Sequence, residues 1–411
     1  MGAQDSERRA PGERPERIGC PAPMAPETKR WRAGAWLPPD TRAGGLPRGA
    51  LTLERRGVQH GFVLPAPAPK TVWGSEASRA PAGLVAAARE RWSRAAPIHL
   101  PGALSGPLAG LRGPVRDTLA MFERLRDEAS FQDEIWDRLE GDERFEPAGV
   151  TVDLGDEREI EKVFANVLDP ERATRDRPKV VARDVYAKLS WISHDERDAS
   201  LRIRFSFGAE ALLEWQEDLR RAPWSDAYAE ALFGECAALA ANAPLVDLIE
   251  ALLRRRARFS ERIVYSNAPG GGAVFHHDAE LHQLGVVYGQ LAGSTFWLAL
   301  SRRELAAALA REARGSRAKG LRALAGSPEA ACEALDGEEQ AATMKLLNHT
   351  PRFTRALVEA GHGFLMRPGD ALLLPSETAD EVAWHSVFAV GDRPSLAHSY
   401  GIFPRRIARK G

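Results

Sequence analysis

The chain has 411 residues, of which 44% are hydrophobic and 27% are charged, and this length and apolar content suffice for two or three domains with a sizeable core. The 56 Lys and Arg side chains nearly balance the 57 Asp and Glu side chains, so the chain lacks the global basic excess typical of a non-specific nucleic-acid binder. The cysteines Cys20, Cys236 and Cys332 are far apart in the sequence, which excludes a disulfide framework and a CxxC zinc site.

Targeting and membrane signals are absent from the sequence pattern. No run approaches the roughly 18 consecutive apolar residues that a membrane span needs. Residues 1–15 carry charges and no apolar stretch, unlike a secretory signal. We therefore predict a soluble, cytoplasmic protein without a membrane partner, and nucleic acid is an unlikely partner on the charge balance.

The N-terminal half divides into an extension and a helical region. Pro, Gly and Arg dominate its first part, a composition that buries too little apolar surface to order itself, and it predicts a disordered extension over residues 1–70. Helix-forming composition follows over 82–95, and apolar residues recur at intervals of three and four over 115–139. A third helical pattern covers 157–168, so the region 71–183 is predicted to be mainly helical.

Strand signals begin at residue 184. Residues 200–207 alternate cleanly, with Leu201 and Ile203 on one face and Arg202 and Arg204 on the other. Such alternation is typical of a strand that buries one side only.

The remaining chain mixes strands with two helical segments. Helical patterns cover 210–256 and 302–361, while short strands with Gly-rich turns lie between and after them. We therefore predict an α+β fold in which residues 184–411 form one catalytic domain, its strands split by a helical insertion.

One histidine cluster has the spacing of a metal site. Residues 275–282 read Phe-His-His-Asp-Ala-Glu-Leu-His. Alternate side chains of an extended strand point the same way, so His276 and Asp278 should face one side and His277 the other. An imidazole and a carboxylate placed in this way can bind one metal. A second imidazole from a distant strand would complete a 2-His-1-carboxylate triad with open positions.

The motifs after this HxD element occur in a characteristic order. They are a strand that ends in Gln-Leu with a following glycine turn, an aromatic strand, a Pro-Gly-Asp turn before an apolar strand, and a strand with a histidine; these are 284–293, 294–300, 367–375 and 384–390. In this order, over 274–300 and 366–403, the chain resembles the JmjC/cupin-type Fe(II)- and 2-oxoglutarate-dependent oxygenases.

The resemblance implies a double-stranded β-helix (cupin or jelly-roll) core with an N-terminal helical region and a helical insertion. It also implies that His276, Asp278 and His385 bind Fe(II) and that 2-oxoglutarate is the co-substrate. The expected activity is that of a dioxygenase, a hydroxylase acting on an unidentified small-molecule, peptide or protein substrate. The oligomeric state stays open.

The chain departs from the family pattern at the co-substrate anchor. Thr295 stands where a JmjC-like enzyme often has a Lys that pairs with the distal carboxylate of 2-oxoglutarate. The candidates for binding the co-substrate are therefore Tyr288, Thr295, Arg393 and His398. A second departure is the long stretch between Pro375 and His385. Two alternatives follow: a cupin-fold metal-dependent enzyme that does not use 2-oxoglutarate, and a non-catalytic cupin-like binding protein.

Overall fold

The computed structural model of the chain describes most of residues 80–405 and one β-hairpin before them. The described ranges are 50–55, 58–63, 80, 82–127, 129–152, 159–174, 177–192, 199–208, 221–280, 282–315, 319–336, 340–378 and 380–405. All of them belong to one unit, Arg32–Gly411.

The described helices and strands have the following bounds. The helices are α1 (Ala82–Trp92), α2 (Ser105–Ala109), α3 (Arg112–Arg126), α4 (Phe131–Arg138), α5 (Ala222–Leu232), α6 (Ala237–Ala240), α7 (Ala243–Leu253), α8 (Arg302–Ala313), α9 (Lys319–Arg322), α10 (Pro328–Asp336), α11 (Gln340–His349) and α12 (Pro351–Glu359). The strands are β1 (Ala50–Arg55), β2 (Val58–Val63), β3 (Ile98–Leu100), β4 (Phe145–Val152), β5 (Glu159–Thr174), β6 (Arg177–Trp191), β7 (Leu201–Phe207), β8 (Ala257–Asn267), β9 (Gly272–His276), β10 (Gly285–Ala292), β11 (Ser294–Ser301), β12 (Gly363–Met366), β13 (Ala371–Pro375), β14 (Ala383–Val390) and β15 (Ser395–Pro404).

Two antiparallel sheets organise the fold, besides the hairpin of β1 and β2. The larger has nine strands in the order β3-β13-β10-β15-β8-β7-β6-β5-β4, and the smaller has four in the order β12-β11-β14-β9. From β8 to β15 the chain crosses between the sheets at every connection except the one from β11 to β12. That connection holds helices α8 to α12, so the α+β class and the predicted helical insertion are confirmed.

Alternation along the strands builds three apolar layers. Val286 and Tyr288 of β10 pack with Trp297 and Ala299 of β11 between the two sheets. The other face of the nine-stranded sheet packs against helices α1 to α7. The other face of the four-stranded sheet, including Phe296, packs against α8 to α12. Full burial of a side chain such as Phe or Leu is worth about 1.5–3 kcal/mol. The middle layer therefore holds the two sheets together, and the two outer layers hold the helices against them.

Close backbone approaches at two glycines allow the chain to change sheets. Gly293 joins β10 to β11 with a φ of +62°, and a Cβ there would lie 2.8 Å from the carbonyl oxygen of Pro394. Gly272 opens β9 with a φ of +147°, and a Cβ there would lie 2.1 Å from the carbonyl oxygen of Val387. Only glycine avoids both the strained backbone and the overlap. The Gly-rich turn before the HxD element is thus a strand bend pressed against β14.

The prediction of a mainly helical 71–183 region is wrong in its second part. Residues 159–174 form strand β5 where a helix was predicted over 157–168, and β4 and much of β6 also lie in this region. The buried apolar residues in β5 alternate as Val163, Ala165 and Val167, a period of two. The predicted domain boundary between residues 183 and 184 falls inside β6 and is therefore also wrong.

The predicted disordered extension over residues 1–70 needs a similar correction. Residues 50–55 and 58–63 pair as the antiparallel hairpin β1–β2, while the rest of the predicted extension lies outside the described residues. The alternation in Leu-Thr-Leu-Glu, followed by an Arg-Gly connection, is the sequence signal that explains the hairpin.

None of the described helices alone is both long and apolar enough to cross a membrane. The segments Gly234–Ala240 and Ala243–Leu253, bent by 44° relative to each other, together have the length and apolar composition of a span, and nothing more than that.

Candidate metal centre

The two imidazoles of the predicted triad lie side by side because their strands are neighbours. His276 ends β9 and faces His385 of β14 directly in the antiparallel register. Their ring centroids are 4.2 Å apart. The sequence brings these two residues together only through the pairing of β9 with β14, across more than a hundred residues of intervening chain.

Asp278 completes the cluster from the loop after β9. Its Oδ1 lies 3.7 Å from Nε2 of His276, and its Oδ2 lies 3.4 Å from Nε2 of His385. The three ligand atoms all lie within 4.8 Å of one another. The structure therefore brings the predicted residues His276, Asp278 and His385 to one point.

Backbone carbonyls set the orientation of both imidazoles. Nδ1 of His276 lies 2.7 Å from the carbonyl oxygen of Val274, and Nδ1 of His385 lies 3.5 Å from that of Ala383. A ring that donates its Nδ1–H to a carbonyl presents the lone pair of Nε2 on its other side, toward Asp278. This is the tautomer that a metal bound at Nε2 requires.

The charge states of the cluster also suit a divalent cation. Burial and the neighbouring His276 lower the pKa of His385 to about 3, so its ring is neutral at neutral pH. Two imidazole nitrogens and one carboxylate are the donor set of a non-haem Fe(II) centre, so these residues fit that metal.

One side of the cluster is open. The side chains of His276 and Asp278 are 39% and 41% exposed, whereas that of His385 is 4% exposed. A metal held here would be reached from the side of His276 and Asp278. Open coordination positions on that side are what an oxygenase needs, and a closed structural site would lack them.

His277 points away from the cluster, as the alternation predicted. Its ring packs edge-on against Trp384 at 5.0 Å, and its Nε2 lies 3.9 Å from Oδ1 of Asp336 in α10. The backbone N–H of Ala279 donates to its Nδ1 at 3.3 Å. His277 therefore fixes the loop to the helical insertion and does not join the triad.

Gln283 positions Asp278 from behind and was missed by the sequence analysis. Its side chain is buried, and its Nε2 donates to the backbone carbonyl of Asp278 and, at 3.0 Å, to Oγ of Ser376. Ser376 begins the long stretch before His385. The side-chain amide of Gln283 therefore links the loop that carries Asp278 to the segment that leads to His385. A lone glutamine in a loop gives no sequence signal for this role.

We expect Gln283→Ala to weaken divalent-metal binding roughly 10- to 100-fold, because outer groups that orient ligands contribute about this much affinity. The measurement is a competition titration of Mn(II) or Co(II) against a chelator. Ser376→Ala is the matched variant, since it removes one partner of Gln283 and leaves the bond to Asp278, and its effect should be smaller. Equal affinity of Gln283→Ala and wild type would contradict the positioning role.

A cavity between the two sheets opens onto the triad. Its volume is about 430 Å³, its open mouth included. The ring of Trp297 stacks on that of His385 at 5.3 Å, and Tyr288 meets Trp297 edge-on at 4.6 Å. The lining residues are Ile192, Tyr265, Asn267, Ala273, His276, Asp278, Val286, Tyr288, Trp297, Leu374, His385, Val387 and Ser399.

Two of the four predicted co-substrate residues lie at this cavity or directly behind it. Tyr288 lines it, and its hydroxyl donates to Oε1 of Gln290 at 3.0 Å. Thr295 is buried, and its hydroxyl donates to the same oxygen at 2.7 Å. Nε1 of Trp297 donates to Oγ1 of Thr295 at 2.9 Å. These bonds form one closed polar network without a charge.

The structure does not bring the other two predicted residues to the cavity. Arg393 is exposed in the turn after β14, and five residues of strand, about 16 Å at about 3.3 Å per residue, separate His385 from the end of β14. His398 lies on the opposite face of β15, where its Nε2 is 3.5 Å from Oε1 of Glu235 and its Nδ1 is 3.7 Å from Sγ of Cys236. Alternation along β15 turns His398 toward the helices.

Comparisons with known proteins return solved structures only. No family model matches the chain, and no curated protein matches it. One similar structure is YcfD, a ribosomal oxygenase from Escherichia coli, at 13% identity and a TM-score of 0.23; the match covers 69% of this chain and 44% of that chain. A second is SnoN, a non-heme alpha ketoglutarate dependent epimerase from nogalamycin biosynthesis, at 14% identity and a TM-score of 0.28, covering 78% and 84%.

A third similar structure is an oxidoreductase of the 2OG-Fe(II) oxygenase family from Burkholderia pseudomallei, at 10% identity and a TM-score of 0.28, covering 80% of this chain and 97% of that chain.

Proposed function

We propose that the chain is a mononuclear non-haem Fe(II) oxygenase that uses 2-oxoglutarate, acting as a hydroxylase. The observation that carries this proposal is the convergence of His276, Asp278 and His385, whose ligand atoms lie within 4.8 Å of one another at the mouth of a cavity. Two imidazoles and one carboxylate with an open side match the facial triad of such enzymes.

The strand order supports a double-stranded β-helix as the core. Strands β8, β15, β10 and β13 are neighbours in one sheet, and β9, β14, β11 and β12 are neighbours in the other. The chain alternates between the sheets as it passes from β8 to β15, except between β11 and β12, which are neighbours in the smaller sheet. In this arrangement His276 and His385 come from β9 and β14, the two strands at one edge of the smaller sheet, and Asp278 comes from the loop after β9. Tyr265 of β8 in the larger sheet lines the same cavity.

Each residue of the site then has a stated task. His276, Asp278 and His385 would hold Fe(II), which with 2-oxoglutarate and dioxygen supplies the oxidising chemistry. The carbonyls of Val274 and Ala383 keep both imidazoles in the ligating tautomer. Four apolar residues line the cavity and exclude water from it: Val286, Trp297, Leu374 and Val387. Substrate would enter from the exposed side of His276 and Asp278.

A second candidate is a metal-dependent enzyme of the same fold that does not use 2-oxoglutarate. The observation that favours it is the lining of the cavity, which among the described residues includes no lysine or arginine. A dicarboxylate co-substrate normally needs such a partner. A cytoplasmic location stays a prediction for either candidate.

The proposal is tested by adding Fe(II) without oxygen, with and without 2-oxoglutarate. The expected result is one iron per chain and a visible charge-transfer band that develops only with 2-oxoglutarate, followed by succinate formation when oxygen is admitted. Tight iron binding without that band would support the second candidate. Failure to bind iron would leave a binding protein with an unused triad and would overturn both.

A further inference from the structure

The cavity needs a partner for the far carboxylate of 2-oxoglutarate if the proposed function holds. The keto acid end of the co-substrate binds the metal, and the other carboxylate extends away from it. Thr295 is engaged in the network with Gln290 and Trp297 and carries no charge. The partner of the far carboxylate must therefore lie on another wall of the cavity.

Strand β8 presents two polar side chains to the cavity. Tyr265 and Asn267 are two residues apart, so they share the face of β8 that lines it. Oγ of Ser399 donates to the hydroxyl of Tyr265 at 3.0 Å, which leaves the phenolic hydrogen to donate elsewhere. Burial raises the pKa of Tyr265 to about 12, so the phenol keeps that hydrogen at neutral pH.

Asn267 carries an unsatisfied polar atom at this wall. Its side chain is buried, with 2% of the residue exposed, and its Nδ2 donates to Oγ of Ser395 at 3.3 Å. Its Oδ1 is buried and meets no hydrogen-bond partner in the described part of the chain. Buried polar atoms of this kind are rare because they are costly. If the Asn267 side-chain amide is rotated so that its oxygen and nitrogen exchange places, Oδ1 accepts from Ser395 and Nδ2 can donate to a ligand in the cavity.

Arg202 lies beside this wall on β7, just outside the residues that line the cavity. It lies directly opposite Tyr265 in the β7–β8 register, so both side chains project from the same face. It is half-buried, and its Nε donates to Oγ of Ser190 at 3.1 Å. A guanidinium has five donors and can bind several acceptors at once. The next cation on β7, Arg204, pairs with Glu261 at 2.8 Å.

We propose, on the basis of the proposed function, that Tyr265, Asn267 and Arg202 form the subsite that holds the far carboxylate of 2-oxoglutarate. Two neutral donors contact it from β8, and the guanidinium compensates its charge from β7. The anchor thus lies on β8 and on β7, its neighbour in the larger sheet. Neither Thr295 nor Arg393 supplies it.

The test compares two ligands on protein loaded with Mn(II) in the absence of oxygen. These are 2-oxoglutarate and 2-oxopentanoate, which keeps the keto acid but lacks the far carboxylate, and calorimetry gives both dissociation constants. Arg202→Met should weaken 2-oxoglutarate roughly 10- to 150-fold, the range for a charge-assisted hydrogen bond. Tyr265→Phe, which keeps the ring, should weaken it roughly 3- to 10-fold. Neither change should alter the affinity for 2-oxopentanoate.

Arg303→Met is the matched control, since Arg303 is exposed on the helical insertion and its loss should leave both affinities unchanged. Arg393→Met tests the alternative in which Arg393, a candidate from the sequence, binds the far carboxylate. A loss of 2-oxoglutarate affinity in Arg393→Met and none in Arg202→Met would overturn the subsite. Equal weakening of both ligands by Arg202→Met would also overturn it. Wild-type protein that binds metal and neither keto acid would instead overturn the proposed function.

Discussion

Replacing His276, Asp278 or His385 by alanine is expected to remove tight divalent-metal binding, whereas His277→Ala should retain it. Each of the three contributes one ligand atom to the cluster. The loss should exceed the roughly 10- to 100-fold effect of an outer residue, because a direct bond to the metal is lost. Metal content after dialysis and chelator competition with Mn(II) measure it.

His277→Ala is the matched control because it removes an imidazole from the adjacent position. Its ring contacts Trp384 and lies near Asp336, outside the cluster. Circular dichroism on each variant separates loss of a ligand from loss of the fold. Metal retained by His276→Ala but lost by His277→Ala would show that the loop holds the opposite face toward the cavity.

The triad was predictable from sequence because its first two members are local. His276 and Asp278 are separated by one residue, and their spacing is visible without a fold. The third ligand, His385, is indicated only by the order of the surrounding motifs, which resembles that of a known family. Its position beside His276 depends on the pairing of β9 with β14, which no local pattern encodes. The resemblance supplied what periodicity did not.

The co-substrate wall was not predictable for the same reason. The alternation of Leu201 and Ile203 with Arg202 and Arg204 was identified correctly, and the structure buries the first pair while leaving the second half-buried. What sequence could not tell is that β7 joins the large sheet beside β8. Only that neighbour relation places Arg202 opposite Tyr265. Arg393 was nearer in sequence to the last strands but lies beyond the far end of β14.

The errors in the N-terminal half have a different cause. In β5, the buried residues Val163, Ala165 and Val167 recur with a period of two, but Ile160, Val163 and Val167 also fit a helical spacing of three and four. The ambiguity is resolved by the antiparallel pairing of β5 with β4 on one edge and β6 on the other. Tertiary pairing therefore decided the structure of a segment whose own pattern fitted both a helix and a strand.

Replacing Asp370 by asparagine is expected to lower the free energy of unfolding by about 1.5–3 kcal/mol at neutral pH, the range for hydrogen bonds to a charged group. Asp370, in the Pro-Gly-Asp turn before β13, is buried. Its carboxylate accepts from the backbone N–H of Gly102 at 2.8 Å and of Arg367 at 2.9 Å. Nε2 of His99 lies 3.3 Å from it. The bonds tie the turn to β3 at the edge of the large sheet.

The pH dependence of this effect has a definite sign. Burial raises the pKa of Asp370, but the hydrogen bonds from His99 and the two backbone groups outweigh burial and lower it. A carboxyl whose pKa is lower in the folded state stabilises the fold above its unfolded pKa of about 3.9, and that contribution is lost as the pH falls through the folded pKa. The difference between wild type and Asp370→Asn should therefore be largest at neutral pH and shrink below about pH 4. Urea unfolding across this range measures it, with the exposed Asp117→Asn as control, for which a change within about 0.5 kcal/mol is expected. A difference that grows on acidification would mean that the carboxyl, and not the carboxylate, is the form bound in the fold.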